Sequence, residues 1–290
     1  MKGYNVRLAL ESAKLSQLAY EKFEKDPLSF SLDLRAKGYA LEKVVHNPET
    51  ETQAFIASKD DKVFVVFRGT YEIPADVFTD IAAQIIDGGH EGIFKAFRSV
   101  QDELDVFLKN NIGNRKVYAV GHSLGGGLAK AAVLEMKHIP WEACYTFGAP
   151  AICNEVKAGG LTTPVYSVVN VGDIVPRVME IPNLKDVSLL LSNALKELVA
   201  SGNLRLSGDV DYAEYMQKIG QSLEQYRHFP ELIYYNRQGR RVVAGDSLEI
   251  FNAAIKENWR AAYEDHAISS YCNHLQAYID LSEALRPIEV

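Results

Sequence analysis

Residues 116–127 read Lys-Val-Tyr-Ala-Val-Gly-His-Ser-Leu-Gly-Gly-Gly, and this stretch decides the fold. The apolar run 116–120 predicts a strand, and the pattern of 124–138 predicts a helix directly after it. Between them stands Gly-x-Ser-x-Gly, in the strand–turn–helix context in which this motif carries a nucleophile. Bulky side chains two residues before or after the serine would collide across the turn, and glycines at both places remove the clash. We therefore interpret Ser123 as a nucleophile in a strained turn at a helix N-terminus, where the helix dipole favours negative charge.

Two further glycines, Gly126 and Gly127, extend the glycine run into the predicted helix. A glycine inside a helix costs about 1 kcal/mol relative to alanine. Two such residues in succession therefore predict close packing around the turn.

Short apolar strands and helices alternate on both sides of this stretch. Strands are predicted at 39–46, 52–58, 62–67, 141–147, 165–169, 231–236 and 241–244, and helices at 6–25, 92–110, 252–264 and 267–285. Strand 62–67 is nearly continuous in apolar and β-branched residues, which is typical of a strand buried on both faces. The alternation predicts an α/β fold with a mostly parallel central sheet flanked by helices.

The alternation breaks at 183–227, where two amphipathic helical stretches, 184–200 and 210–226, are separated by Ser-Gly pairs. The leucines of the first stretch fit either contacts with acyl chains or ordinary helix packing. The chain carries no internal repeat, low-complexity tract or linker. Residues 1–290 are therefore predicted to form one domain, with 183–227 as a helical insertion or cap.

The composition argues against several classes of protein. Apolar residues make up 47% of the 290 residues and charged residues 24%, an ordinary globular balance. A net charge of −7 without a basic stripe argues against a nucleic-acid partner. Cys144, Cys153 and Cys272 indicate neither a disulfide framework nor a metal site. The first residues lack the apolar core of a signal peptide, and no apolar run of about twenty residues occurs, so a cytoplasmic protein without a transmembrane segment is expected.

Seven blocks follow one another in the chain. They are Val66-Phe-Arg-Gly-Thr70, Asp76-Val-Phe-Thr-Asp80, His90-Glu-Gly-Ile-Phe94, Gly121-His-Ser-Leu-Gly125, Thr146-Phe-Gly-Ala-Pro150, Asn170-Val-Gly-Asp-Ile-Val-Pro-Arg177, and Asp265-His266 followed by Tyr271. In this order they resemble the blocks of the class 3 lipases, the fungal-lipase-like branch of the α/β hydrolases. Phe78 stands where that family has tryptophan, and the block at 90–94 has one residue inserted. The resemblance implies the α/β-hydrolase fold and ester hydrolysis.

A serine hydroxyl needs a base to take its proton, and the base needs a carboxylate that fixes its tautomer. In α/β hydrolases the acid and then the histidine follow the serine in the chain. The resemblance implies that Asp173, directly after strand 165–169, is the acid. Asp186 is the alternative, although it lies within a predicted helix.

The base is sought among the histidines after Asp173, namely His228, His266 and His274. The resemblance implies His266, which lies in a break between two predicted helices. His228 precedes a strand, and His274 lies about two helical turns beyond His266. His90 and His122 precede the acid and are interpreted as structural.

The oxyanion hole is predicted to use the backbone N–H of Leu124, the residue after the nucleophile. By the resemblance, its second donor is Thr70, through its backbone N–H and its hydroxyl. The family carries a lid after the oxyanion strand, which implies a lid at 71–90. Asp80 within it is a candidate for positioning Thr70 or the lid.

The functional hypothesis is acyl transfer through an acyl-enzyme on Ser123, with no cofactor and no metal. The resemblance implies a lipase or carboxylesterase that hydrolyses acylglycerols or related carboxylic esters. A lipid or ester is then the small-molecule partner, with transient contact at a lipid interface. The alternatives are a phospholipase or galactolipase, and a hydrolase-like scaffold that binds acyl ligands without turnover. The presence of Ser123, Asp173 and His266 together argues against the scaffold.

Overall fold

The computed structural model describes residues 3–70, 89–153, 158–173, 175–176, 232–246, 249–251 and 261–285. The predicted insertion at 183–227 lies outside these residues, and so does the predicted lid at 71–90 except for its last two positions. Asp80, Asp186 and His228 therefore lie outside them as well. Within the described part of the chain, no helix is both long and apolar enough to cross a membrane.

A sheet of eight strands forms the centre of the described structure, and the strands lie side by side in chain order. They are β1 (Ala40–Asn47), β2 (Thr52–Lys59), β3 (Lys62–Phe67), β4 (Lys116–His122), β5 (Trp141–Phe147), β6 (Val165–Asn170), β7 (Leu232–Tyr235) and β8 (Arg241–Val242). The four pairings from β3 to β7 are parallel, whereas the pairings at the two margins are antiparallel. The predicted α/β fold with a mostly parallel sheet is confirmed.

Helices flank the sheet. They are α1 (Val6–Leu18), α2 (Pro27–Ala36), α3 (Gly89–Asn111), α4 (Leu124–Glu135), α5 (Ala261–His266) and α6 (Ile268–Ala284). The prediction of one helix over 6–25 is wrong beyond Leu18, because the chain turns there and buries Phe23. The unpredicted α2 then begins at Pro27, where the Asp26 side chain accepts a hydrogen bond from the Ser29 N–H at 3.0 Å. Aspartate at the cap followed by proline is a standard start of a helix.

The sheet buries a different set of side chains on each face. The aliphatic cluster lies between the sheet and helices α3 and α4, and includes Val65, Ile93, Leu104, Ala129 and Val133. The aromatic cluster lies between the sheet and helices α1, α2 and α6, and includes Phe23, Phe64, Tyr118, Tyr145 and Tyr271. Strand β3 contributes to both clusters because its successive side chains point to opposite faces. The prediction that this strand is buried on both faces is confirmed.

The register of the parallel strands sets where the site forms. Phe67 of β3 pairs with Gly121 of β4, and Phe147 of β5 pairs with Val168 of β6. The carboxyl ends of these strands therefore reach the same edge of the sheet. The loops after β3, β4, β5 and β6 leave this edge together and bring distant parts of the chain into contact.

Candidate active site

Ser123 stands at the turn between β4 and α4 with a φ of 55° and a ψ of −129°. A non-glycine residue in this region is strained by about 1–3 kcal/mol and needs surroundings that hold it there. The Ser123 N–H donates to the Phe147 carbonyl of β5 at 2.9 Å, and the residue is 1% exposed. The strained backbone predicted for this serine is confirmed.

The glycines around Ser123 leave no room for a side chain. A β-carbon on Gly121 would lie 2.1 Å from the Gly125 carbonyl oxygen, and one on Gly125 would lie 2.4 Å from the Phe67 carbonyl oxygen. A β-carbon on Gly126 would lie 2.6 Å from the β-carbon of Ala149. The close packing predicted from the glycine run is therefore present.

Three of the predicted side chains meet above this turn. The Ser123 Oγ lies 3.0 Å from Nε2 of His266, and Nδ1 of His266 lies 2.9 and 3.0 Å from the two carboxylate oxygens of Asp173. Because a carboxylate accepts, Nδ1 carries the proton, and Nε2 of the neutral ring is left to accept from the serine hydroxyl. Asp173 is fully buried, and His266 is 6% exposed.

Asp173 is held by further donors. Its Oδ1 accepts from the Val175 N–H at 2.8 Å, and its Oδ2 accepts from the Tyr271 hydroxyl. Burial, and then the neighbouring Asp173, hold the pKa of Tyr271 well above its ordinary value, so this hydroxyl stays a donor. Gly148 lets the pair approach, since a β-carbon there would lie 2.5 Å from Oδ2 of Asp173. Tyr271 belongs to the last of the seven sequence blocks, and its bond to Asp173 is evident only in the structure.

Asp265, next to His266 in the chain, connects His266 to the loop that carries Asp173. Its carboxylate packs against Gly172, where a β-carbon would lie 2.0 Å from Oδ2 of Asp265, and it lies 3.0 Å from Nε of Arg237 on the β7–β8 hairpin. Burial raises the pKa of Asp265, and Arg237 offsets part of that rise. Asp265 therefore holds the loop of Asp173 next to His266 and makes no contact with Ser123 through these bonds.

Asn170 forms a second tie between the same loops. Its side-chain amide donates to the Asp265 carbonyl at 2.8 Å, and its side-chain oxygen accepts from Nδ1 of His274 at 2.8 Å. His274, an alternative base, thus lies on α6 as a support of Asn170. Burial, and then Arg237, lower the pKa of His274 to about 4.

The predicted oxyanion residues both border one cavity of about 860 Å³. Leu124 is the first residue of α4, and Thr70 follows β3. Apolar side chains of Ile93, Ala96 and Leu128 line the cavity near them. Its other lining residues are mostly polar or charged and include Glu24, Lys25, His46, Glu51 and Lys95. The cavity is therefore lined by both apolar and charged side chains, together with Thr70 and Leu124.

Arg68 anchors the strand end that carries Thr70. Its Nε donates to the Ala19 carbonyl at 2.5 Å, and its guanidinium lies 2.8 Å from the Glu24 carboxylate. The guanidinium also stacks 4.4 Å from the centre of the Phe23 ring. Arg68 is 8% exposed, and this enclosed set of partners fixes the position of the oxyanion strand.

Known proteins resemble this chain both in sequence and in fold. The family model of the class 3 lipases matches residues 64–183. Curated proteins give no significant match. The lipase–propeptide complex of Rhizomucor miehei is 17% identical, with 83% of this chain and 71% of that chain covered and a TM-score of 0.54. A deletion mutant of that complex is 18% identical at 83% and 70% coverage, with a TM-score of 0.55.

A further Rhizomucor miehei structure, described as a triacylglyceride lipase, is 20% identical, with 61% of this chain and 75% of that chain covered and a TM-score of 0.50. At such identities the structural likeness shows a shared fold. The family match spans a segment that includes Thr70, Ser123 and Asp173.

Proposed function

We propose, from the premise that this chain belongs to the class 3 lipase family and is a lipase-type hydrolase, that it cleaves carboxylic esters through an acyl-enzyme on Ser123. The single observation that carries the proposal is the line of hydrogen bonds from Ser123 through His266 to Asp173. Such a line gives a weak nucleophile its base and gives the base its orienting carboxylate.

In the first half of the reaction, Nε2 of His266 takes the hydroxyl proton while Oγ of Ser123 attacks the ester carbonyl carbon. Asp173 stabilises the imidazolium that forms. The negative charge on the former carbonyl oxygen is accepted by the backbone N–H of Leu124 and by Thr70. The tetrahedral intermediate then collapses, the imidazolium gives its proton to the leaving alkoxide, and an alcohol departs.

In the second half, water enters and gives a proton to Nε2 of His266 as its oxygen attacks the acyl carbon. Collapse releases the carboxylic acid and returns the proton to Oγ of Ser123. No metal or organic cofactor enters these steps, because all proton transfers run between the serine, the imidazole, the substrate and water.

The substrate class that fits best is an acylglycerol or a related ester, as a lipase or carboxylesterase would use. The apolar residues Ile93, Ala96 and Leu128 line the same cavity as Thr70 and Leu124 and suit an acyl chain. Transient contact with a lipid surface is part of this proposal. A rise in activity when the substrate passes its solubility limit is the expected sign of such contact.

A series of p-nitrophenyl esters of increasing chain length tests the proposal with the wild type, Ser123→Ala and Ser282→Ala. Ser123→Ala is expected to lose about 10⁴-fold or more in kcat. Ser282 lies on α6 with its hydroxyl bonded to the Ile279 carbonyl, so Ser282→Ala is expected to turn over like the wild type. A maximum at long acyl chains indicates a lipase, and a maximum at short chains indicates a carboxylesterase.

A reactive phosphonate ester supplies an independent arm for the acyl-enzyme. We expect a single covalent adduct by mass spectrometry in the wild type and none in Ser123→Ala. The proposal fails if the wild type shows no more turnover and no more labelling than Ser123→Ala at every chain length.

A further inference from the structure

The N-terminal helix reaches the site from outside the segment that the class 3 lipase model matches. Tyr20 lies just beyond α1, and its hydroxyl is 2.6 Å from Nδ1 of His122. Nε2 of His122 lies 2.7 Å from the backbone oxygen of His266. Two hydrogen bonds therefore connect the end of α1 to the backbone of the proposed base.

The partners of His122 determine its tautomer. A carbonyl oxygen accepts, so Nε2 of His122 must carry the proton that is directed at His266. The neutral ring then has its lone pair on Nδ1, and Tyr20 must donate to it. Burial, and then the nearby His266, hold the pKa of His122 well below its ordinary value, while burial raises the pKa of Tyr20. Both groups therefore keep these donor and acceptor roles around neutral pH.

Tyr20 is itself fixed in place by the oxyanion strand. Arg68 donates to the carbonyls of Ala19 and Glu21, the two neighbours of Tyr20. A β-carbon on Gly69 would lie 2.4 Å from the Tyr20 hydroxyl and 2.6 Å from the His122 carbonyl oxygen. Glycine at position 69 thus allows the hydroxyl to pass closely between the oxyanion strand and the nucleophile turn.

The ring of His122 lies against that of His266, with ring centres 4.8 Å apart and planes inclined by 37°. In the opposite tautomer, Nε2 of His122 would present a lone pair to the His266 carbonyl oxygen. Two lone pairs at 2.7 Å repel, and the backbone of His266 would move away. A displacement of about 1 Å in a catalytic group is enough to cost about 10²-fold in rate.

We propose that Tyr20 is a positioning residue of this site: its hydroxyl fixes the tautomer of His122, and His122 holds the backbone of His266 where Nε2 meets the Ser123 hydroxyl. This inference rests on the ester hydrolysis proposed above. Tyr20 contacts neither the serine nor the acid through the bonds described, so its effect passes through His122.

Tyr20→Phe removes the donor and keeps the ring. We expect kcat to fall by about ten- to a hundredfold with KM unchanged, because the transition state loses an aligned base while substrate binding does not. Tyr39→Phe is the matched control, since Tyr39 donates to Glu11 at 2.9 Å on the far side of α1. It loses one tyrosine hydrogen bond as well, and its kcat is expected to equal that of the wild type.

A second pair of variants separates positioning from packing. In His122→Gln the amide nitrogen replaces Nε2 as donor to His266, whereas His122→Leu offers no donor. We expect the glutamine variant to retain clearly more kcat than the leucine variant. Adding Tyr20→Phe to His122→Gln should then cost little further, because there is no imidazole tautomer left to fix.

The nitrogen-15 shifts of the His122 ring test the proposal without turnover. The wild type should show protonated Nε2 and unprotonated Nδ1, and Tyr20→Phe should show a mixture or the reverse. The proposal is overturned if Tyr20→Phe keeps the wild-type kcat, if glutamine and leucine at position 122 lose equally, or if the wild-type ring carries its proton on Nδ1. Absence of Ser123-dependent turnover in the wild type would instead overturn the hydrolase function.

Discussion

The two faces of the sheet differ in chemistry, and the difference explains how the site is held. The aliphatic cluster packs α4 onto the sheet, and the glycine run lets the turn that carries Ser123 fit closely against neighbouring backbone atoms. On the other face, Tyr271 of the aromatic cluster donates a hydrogen bond to Asp173, and Tyr20, which follows α1, donates one to His122. Van der Waals contact sets a distance, whereas a hydrogen bond also sets a direction. The turn at Ser123 therefore relies on close packing, whereas directed hydrogen bonds hold Asp173 and the backbone of His266.

The strongest test of placement by packing is Gly125→Ala. Its new β-carbon would lie 2.4 Å from the Phe67 carbonyl oxygen and 2.8 Å from the Gly69 nitrogen, both rigid backbone atoms. We expect a loss of about 3 kcal/mol in the free energy of unfolding and a loss of ester hydrolysis.

Gly92→Ala is the control for this substitution, since nothing lies within 4 Å of a β-carbon at this helical position of α3. It should gain about 0.5–1 kcal/mol from helix propensity. Urea unfolding measures both variants. An unchanged denaturation midpoint in Gly125→Ala would contradict the close packing of the turn.

A smaller effect is expected from Tyr271→Phe, which tests placement by directed bonds. The variant leaves the Asp173 carboxylate without its buried hydroxyl donor, at a cost of about 1.5–3 kcal/mol in stability. Because Asp173 then orients His266 less well, kcat should fall by up to about 10²-fold.

Leu104→Ala tests the other face of the sheet, because Leu104 belongs to the aliphatic cluster and is 1% exposed. It should cost about 2–5 kcal/mol in the free energy of unfolding and leave kcat near the wild-type value. The contrast between the faces is lost if Leu104→Ala lowers kcat as much as Tyr271→Phe, with both measured well below their melting temperatures.

The smallest expected effect is on the pH dependence of the free energy of unfolding, to which His274, the hydrogen-bond donor to Asn170, contributes. Burial, and then Arg237, lower the pKa of His274 to about 4, whereas an unfolded histidine has a pKa of about 6.5. Between these values the unfolded state binds a proton that the folded state does not, so the free energy of unfolding falls as the pH falls from about 6.5 to about 4.

In His274→Asn the amide keeps a donor for Asn170 and does not titrate. Its unfolding free energy should therefore fall less between pH 7 and pH 5 than that of the wild type, as urea denaturation at the two pH values measures. The titration of other groups is common to both proteins and cancels in the difference. Equal falls would show that His274 is not held neutral by the fold.

Much of the fold follows from patterns within short windows of the chain. The strands β2, β3, β5 and β6 lie within one residue of their predicted ends, because each is a compact apolar run. The α2 helix was missed although Asp26 and Pro27 mark its start, since Phe23 extended the apolar spacing of the preceding helix. The lid at 71–90 and the insertion at 183–227 stay predictions.

The sequence by itself determined the turn that carries Ser123 and the alternation of strands and helices, and its ordered blocks pointed to Asp173 and His266. It did so because motif glycines, apolar runs and ordered blocks are local features. Only the tertiary structure decided that Tyr20 forms a hydrogen bond with His122, 102 residues away, and that His274 forms one with Asn170, 104 residues away. In the sequence, a tyrosine or histidine that only packs cannot be told from one that orients a neighbour. The geometry of a hydrogen bond arises only when the sheet brings distant loops to one edge.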